Sequence, residues 1–196
     1  DAVLRPVPAA LPPAAADLER ADVELVRREG GRRVFDARDG GMELTPLVGA
    51  KAAFLGEIAR VLGPASVPGW MAVADLAFRE VLSSPVPAPA LERAGIVRAA
   101  TLEEAIGQVV ARPDGSSAGQ AAAVRSLWQA TPLPPPLVAE IAAAYPALAP
   151  PGGAEPFVAI RSSGREEASE DAAWAGELDT FLFVRGLEGA LEHLKL

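Results

Sequence analysis

Residues 157–196 constrain this chain more than any other stretch, because apolar and polar chemistry follow one another there in a fixed order. Phe157, Val158, Ala159 and Ile160 form a short apolar run that reads as a buried strand. At its carboxyl end stand Arg161, Ser162, Ser163 and Gly164. A guanidinium is a planar fork of donors, and small residues let backbone N–H groups approach an oxyanion, so this is the chemistry of an anion site. An acidic loop of small residues follows, from Glu166 to Glu177, with Trp174 and Gly176 inside it. Phe181, Leu182, Phe183 and Val184 predict a second strand, and a helix is expected from Leu187. Strand, polar loop, strand and helix put ligand chemistry at a strand end, where open α/β sheets keep it. The expected class is α/β (α+β).

The bulk numbers narrow the function. At 196 residues the chain can form one large domain or one and a half. A formal net charge of -8 leaves no basic stripe to neutralise phosphates, which argues against nucleic acid as a partner. A nucleotide needs only a few well-placed cations and stays open. There is no cysteine, and His193 is the one histidine, so thiolate and histidine-rich metal sites are excluded and no metal ligand is assigned. No apolar run reaches the roughly 18 residues of a membrane helix, and no signal peptide is recognisable. Cytoplasm is the default location. Sixteen of the eighteen basic residues are arginine, so the placement of Lys51 stands out.

Residues 1–45 read as a Pro/Ala-rich arm followed by a β-hairpin. The hairpin arms would be residues 23–27 and 33–36 around Gly30 and Gly31, with Met42, Glu43 and Leu44 a further short strand. Ala50, Phe54, Ile58, Val61 and Leu62 then follow helical spacing, which sets Lys51 near a helix start. Dipole and N–H groups add to a lysine's charge there, although a solvated lysine on an amphipathic helix has the same pattern. A strand is expected near Val73, and a helical segment over about 74–148. Within it Thr101 and Glu104 make a capping box, and a proline opens the helix at about 136. Trp128 and Tyr145 read as core aromatics. His193 reads as a packing or surface residue, in a helix running on through Leu196.

Two separated blocks together resemble one family. Val48-Gly-Ala-Lys-Ala-Ala-Phe-Leu-Gly-Glu57, with Val67-Pro-Gly-Trp70 after it, is similar to the opening lysine loop, first helix and "VPPGF"-type strand of the pyruvate phosphate dikinase and phosphoenolpyruvate synthase family. Val158-Ala-Ile-Arg-Ser-Ser163, then Trp174-Ala-Gly-Glu-Leu-Asp-Thr-Phe-Leu-Phe-Val184, resembles the same family's "VAVRSSA…FAGQQDTFLNV" segment. The resemblance covers about residues 45–196. It implies the N-terminal subdomain of an ATP-grasp fold with an inserted helical segment. It also implies a chain that is part of a longer protein, with domain limits at 1–45 and 46–196.

The family's enzymes move a phosphoryl group from ATP to a histidine on a swivelling domain, and then to an acceptor such as pyruvate. By resemblance, Lys51 would contact the ATP phosphates, and Arg161 would be catalytic, stabilising charge on the transferring phosphoryl group. Gly176 and Thr180 would belong to the loop over the phosphates, with Asp179 holding it. ATP is the implied ligand, and Mg2+ would be bound by residues of the other half of the domain. The acidic cluster Glu166, Glu167, Glu170 and Asp171 reads instead as a solvated loop. Three departures, Ala50, Ala52 and Glu177, favour an alternative: a catalytically degenerate nucleotide-binding or scaffold module of the same fold. Taken without the resemblance, Arg161 has the ordinary reading of a structural ion-pair arginine, and Asp179 and Thr180 of hydrogen bonders at a strand entry.

Overall fold

Proline and glycine mark the joints of this chain, and the order of elements follows those joints. The computed structural model describes residues 31–113, 115–150, 153–163 and 179–196. All of them belong to the unit Gly31–Leu196, so the N-terminal arm and residues 23–27 lie outside the described residues.

Strand β1, Val34–Asp36, runs antiparallel to β2, Met71–Val73, with Val34 opposite Val73 and Asp36 opposite Met71. The expected hairpin partner of β1, residues 23–27, lies outside the described residues, and the described partner comes from beyond the first helix. Alternation turns neighbouring strand residues to opposite faces. Phe35 and Ala72 pack toward α1, Thr45–Leu62, in a core that also holds Val48, Ala52, Ala53 and Trp70. Val34 turns the other way, into a larger helical core. The small sheet therefore joins the two cores.

The larger core is built from α2 (Asp75–Leu82), α3 (Ala88–Arg93), α4 (Leu102–Val110), α5 (Ser117–Ala130) and α6 (Pro135–Ala144). Leu102, Val109, Leu127 and Ile141 are fully buried at its centre. The helix starts are local chemistry. Thr101 Oγ1 accepts from the Glu104 N–H at 3.2 Å, and the Glu104 carboxylate reaches back to the Ala100 N–H at 2.7 Å. That is a capping box whose return bond lands one residue early. Pro135 sits in the first turn of α6, where its missing N–H costs nothing. Tyr145 is buried and its hydroxyl donates to the Pro156 carbonyl at 3.4 Å.

Several expectations are corrected here. Residues Met42–Leu44 form a 3-10 turn rather than a strand, closed by the Leu44 N–H on the Gly41 carbonyl at 3.0 Å. Three residues between a glycine turn and α1 have no strand beside them to pair with. The second correction concerns β3, Phe157–Arg161, which pairs antiparallel with β4, Thr180–Arg185. Its residues alternate between exposed and half-buried, and Phe157 is 64% exposed, so β3 is not a buried strand. A two-stranded ribbon has two faces, and among the described residues α7, Leu187–His193, is the element that covers it. Leu182 and Phe183 together oppose Ala159, a bulge in which Phe183 takes φ 57°. α7 closes at His193 rather than running on through Leu196. Helices with small antiparallel strand pairs make this an α+β arrangement, not an open parallel sheet.

One charged cluster ties β1 to two helices. The Arg33 guanidinium forks onto the Glu80 carboxylate at 2.6 and 2.7 Å and onto Glu140 at 2.6 Å, while the Arg33 N–H also donates to Glu140 at 3.1 Å. Burial pushes the Glu140 carboxyl up, and its bonds to Arg33 outweigh that, so it titrates below its ordinary value. A carboxylate depressed in the fold contributes stability above its unfolded pKa, and that contribution is lost as pH falls through the folded one. Glu140→Gln is therefore expected to lower the thermal midpoint at pH 7. The gap to the native protein should close as melts are repeated toward pH 3; a gap independent of pH would show that the Glu140 charge is not what holds α6 to β1.

Candidate functional site

The two sequence blocks meet at one contact. Within α1, Gly49 has φ 78° and ψ 169°, outside the helical region, so the helix breaks there and restarts at Ala50. Lys51 is the second residue of that new start and is exposed. Ser163, two residues beyond the end of β3, lies against the break, and its Oγ accepts from the Ala52 N–H at 3.1 Å. The segment that carries Arg161 is thereby packed on the segment that carries Lys51.

Arg161 is the last residue of β3, is exposed, and stands directly opposite Thr180, the first residue of β4. Asp179 immediately precedes Thr180 and is also exposed. Strand pairing thus collects Arg161, Asp179 and Thr180 at one end of the ribbon, the end from which Ser163 reaches α1. Gly176 lies outside the described residues, as do Arg165, Trp174, Glu177 and the acidic cluster at 166–171. What this end offers a ligand is two cations on different elements, a hydroxyl, and the start of a thirteen-residue helical run, Ala50 to Leu62. Such a set suits an anion, since a helix N-terminus and a guanidinium both favour negative charge.

Ser163 was read as one hydroxyl of an anion site, and its Oγ instead receives a backbone N–H of α1. Gly49 was missed as a constraint, although a glycine inside a helical pattern is the available signal. Ala52, one of the three departures from the family pattern, is buried in the α1 core with Phe35 and Trp70, so its methyl group packs there. His193 is a packing residue: its Nδ1 lies 2.7 Å from the Gly189 carbonyl, and its ring meets Phe181 edge-on at 5.0 Å.

Beside the Gly49–Ser163 contact an apolar cavity of about 320 Å³ opens, walled by Val48, Phe78, Trp128 and Leu137 among others. Neither Lys51 nor Arg161 lines it. The Phe78 and Trp128 rings are 5.4 Å apart across its wall. Among the described residues no three His, Asp or Glu side chains converge on a point where a metal ion could sit, and no helix is long and apolar enough to cross a membrane.

An α+β module with a lysine at a helix start and an arginine at a strand end is a general class, and comparison with known proteins narrows it. Residues 45–196 match the family described as pyruvate phosphate dikinase, AMP/ATP-binding domain. A phosphoenolpyruvate synthase from Aeropyrum pernix is 36% identical over 154 residues, 78% of this chain and 17% of that protein. A rifampicin phosphotransferase from Streptomyces sp is 33% identical over 165 residues, 84% of this chain and 17% of the relative. A phosphoenolpyruvate synthase from Deinococcus radiodurans is 31% identical over 180 residues, 89% of this chain and 20% of the relative. The chain belongs to the pyruvate phosphate dikinase AMP/ATP-binding domain family, and nucleotide binding is the role that membership supports. It spans a fifth or less of the length of these relatives.

Proposed function

We propose that this chain is the ATP-binding portion of a phosphotransferase similar to phosphoenolpyruvate synthase. It positions the ATP phosphates for transfer to a histidine carried on another domain. The contact between Ser163 and Ala52 carries this reading, because it sets the helix start bearing Lys51 against the strand end bearing Arg161. In this reading the ATP-grasp subdomain begins at about residue 46.

The chemistry needs little beyond placement and charge. A phosphoryl group in transfer spreads negative charge over three oxygens, and catalysis consists mainly of positioning with cationic stabilisation. Lys51 would hold phosphate oxygens at the helix start. Arg161, with five N–H donors in a rigid fork, would take the charge that develops on the transferring group. The Thr180 hydroxyl and Asp179, beside Arg161 in the ribbon, would order the loop that contains Gly176. Mg2+ would neutralise further phosphate charge when bound, and its ligands are assigned to no residue described here. Burial of the Ala52 methyl in the core with Phe35 and Trp70 supports the active reading at that position, while Ala50 and Glu177 still favour the degenerate module.

Calorimetric titration of the full-length protein with Mg-ATP tests the assignment. Lys51→Ala is expected to weaken ATP binding about tenfold or more, the usual cost of losing a charge-assisted hydrogen bond. Equal affinity of the native protein, Lys51→Ala and Arg161→Ala would remove it.

A further inference from the structure

Ser163 completes a helix cap that neither of the two segments holds alone. The helical run that restarts at Ala50 has Gly49 at its N-cap position. A glycine there has no side-chain oxygen, whereas a helix start is normally served by a side chain that accepts the N–H of the second or third residue. Ala52 is the third residue, and its N–H donates to Ser163 Oγ at 3.1 Å from 111 positions further along the chain. The acceptor is thus supplied across the fold rather than from the same segment.

The backbone is shaped for that approach. A Cβ at position 49 would stand 1.6 Å from the Ser163 carbonyl oxygen and 2.7 Å from its Oγ. Only a residue without Cβ lets the serine come this close, and the φ of 78° at Gly49 is itself a conformation that L side chains avoid. Gly49 and Ser163 are therefore two halves of one device.

We infer that Ser163 is a positioning residue for the nucleotide. By capping the helix start it fixes where Lys51 stands relative to the strand end two residues behind it, which carries Arg161. Neither the backbone carbonyl nor the hydroxyl of Ser163 need touch the nucleotide for this role. The inference rests on the nucleotide reading given above and adds to it a residue that works through Lys51.

A double-mutant cycle separates this from a merely structural role. Mg-ATP affinity is measured by calorimetry on the full-length protein, its Ser163→Ala and Lys51→Ala variants and the double variant, with thermal melts alongside. Ser163→Ala is expected to weaken ATP binding by up to about fivefold, the bound reached if the whole of a typical cap energy is expressed in binding. In the Lys51→Ala background the same change is expected to cost less than about twofold, because contacting residues that act as a unit are not additive. An equal Ser163→Ala penalty in both backgrounds, or none in either, overturns the positioning role while leaving the nucleotide reading intact. If Lys51→Ala alone leaves ATP affinity unchanged, the assignment of Lys51 to the phosphates fails first and the positioning role falls with it. Should Ser163→Ala fail to fold, the nearly isosteric Ser163→Cys, a weak acceptor, runs the same cycle against the same criterion.

Discussion

Gly49→Ala is expected to be the most damaging conservative change in the chain, lowering stability by about 3–5 kcal/mol. Two costs add. The added methyl group would meet the Ser163 backbone carbonyl at 1.6 Å, an atom that cannot rotate aside as a side chain can. The backbone at φ 78° and ψ 169° also lies in a region that glycine alone occupies readily. Against a typical domain stability of about 5–15 kcal/mol, either the fold melts early or α1 and the end of β3 part. Two other glycines calibrate the measurement. A Cβ at Gly63 meets nothing within 4 Å although its φ is 93°, so Gly63→Ala registers the backbone cost alone. Gly107 lies inside α4 with open space around it, so Gly107→Ala should stabilise by about 0.5–1 kcal/mol. Thermal melts of the three variants give the order directly. A Gly49→Ala protein that melts with Gly63→Ala would show that Ser163 does not press on the helix break.

Arg161→Ala is expected to have the largest effect on chemistry, about a 10³-fold loss in the rate of phosphoryl transfer from ATP. A guanidinium that meets charge only as it develops contributes to the transition state far more than to the bound substrate, so kcat should fall much further than ATP affinity. The fold should tolerate the change, since Arg161 is exposed at a strand end. Arg161→Lys should recover only part of the rate, because an ammonium keeps the charge and loses the planar fork. Single-turnover transfer measured beside calorimetric ATP affinity separates the two quantities. Equal losses in affinity and rate would move Arg161 from catalysis to binding, and no loss in either would make it a surface arginine.

Much of this was legible in the residues. The capping pair Thr101 and Glu104 and the proline that opens α6 mark helix starts through chemistry local to a few positions of the chain. The helical segment expected over about 74–148 accordingly holds α2 to α6. The two blocks around Lys51 and Arg161 pointed to the family through their resemblance to its motifs, met in the family's order. The pairing of strands was not legible. β1 meets β2 across the whole of α1, and short strands carry no mark of their partner. Nor did the apolar run of β3 say that one of its sides would stay exposed, since burial depends on what else packs there.

Local residue chemistry, then, determined several helix starts and the types of residue available to meet a phosphate, and the resemblance of two motif blocks pointed to the family. The tertiary structure decided that Gly49 breaks its helix, that Ser163 caps the restart, and that Arg161 stands opposite Thr180. Local signals act over three or four residues, whereas a hydrogen bond spanning 111 positions exists only once the chain has folded.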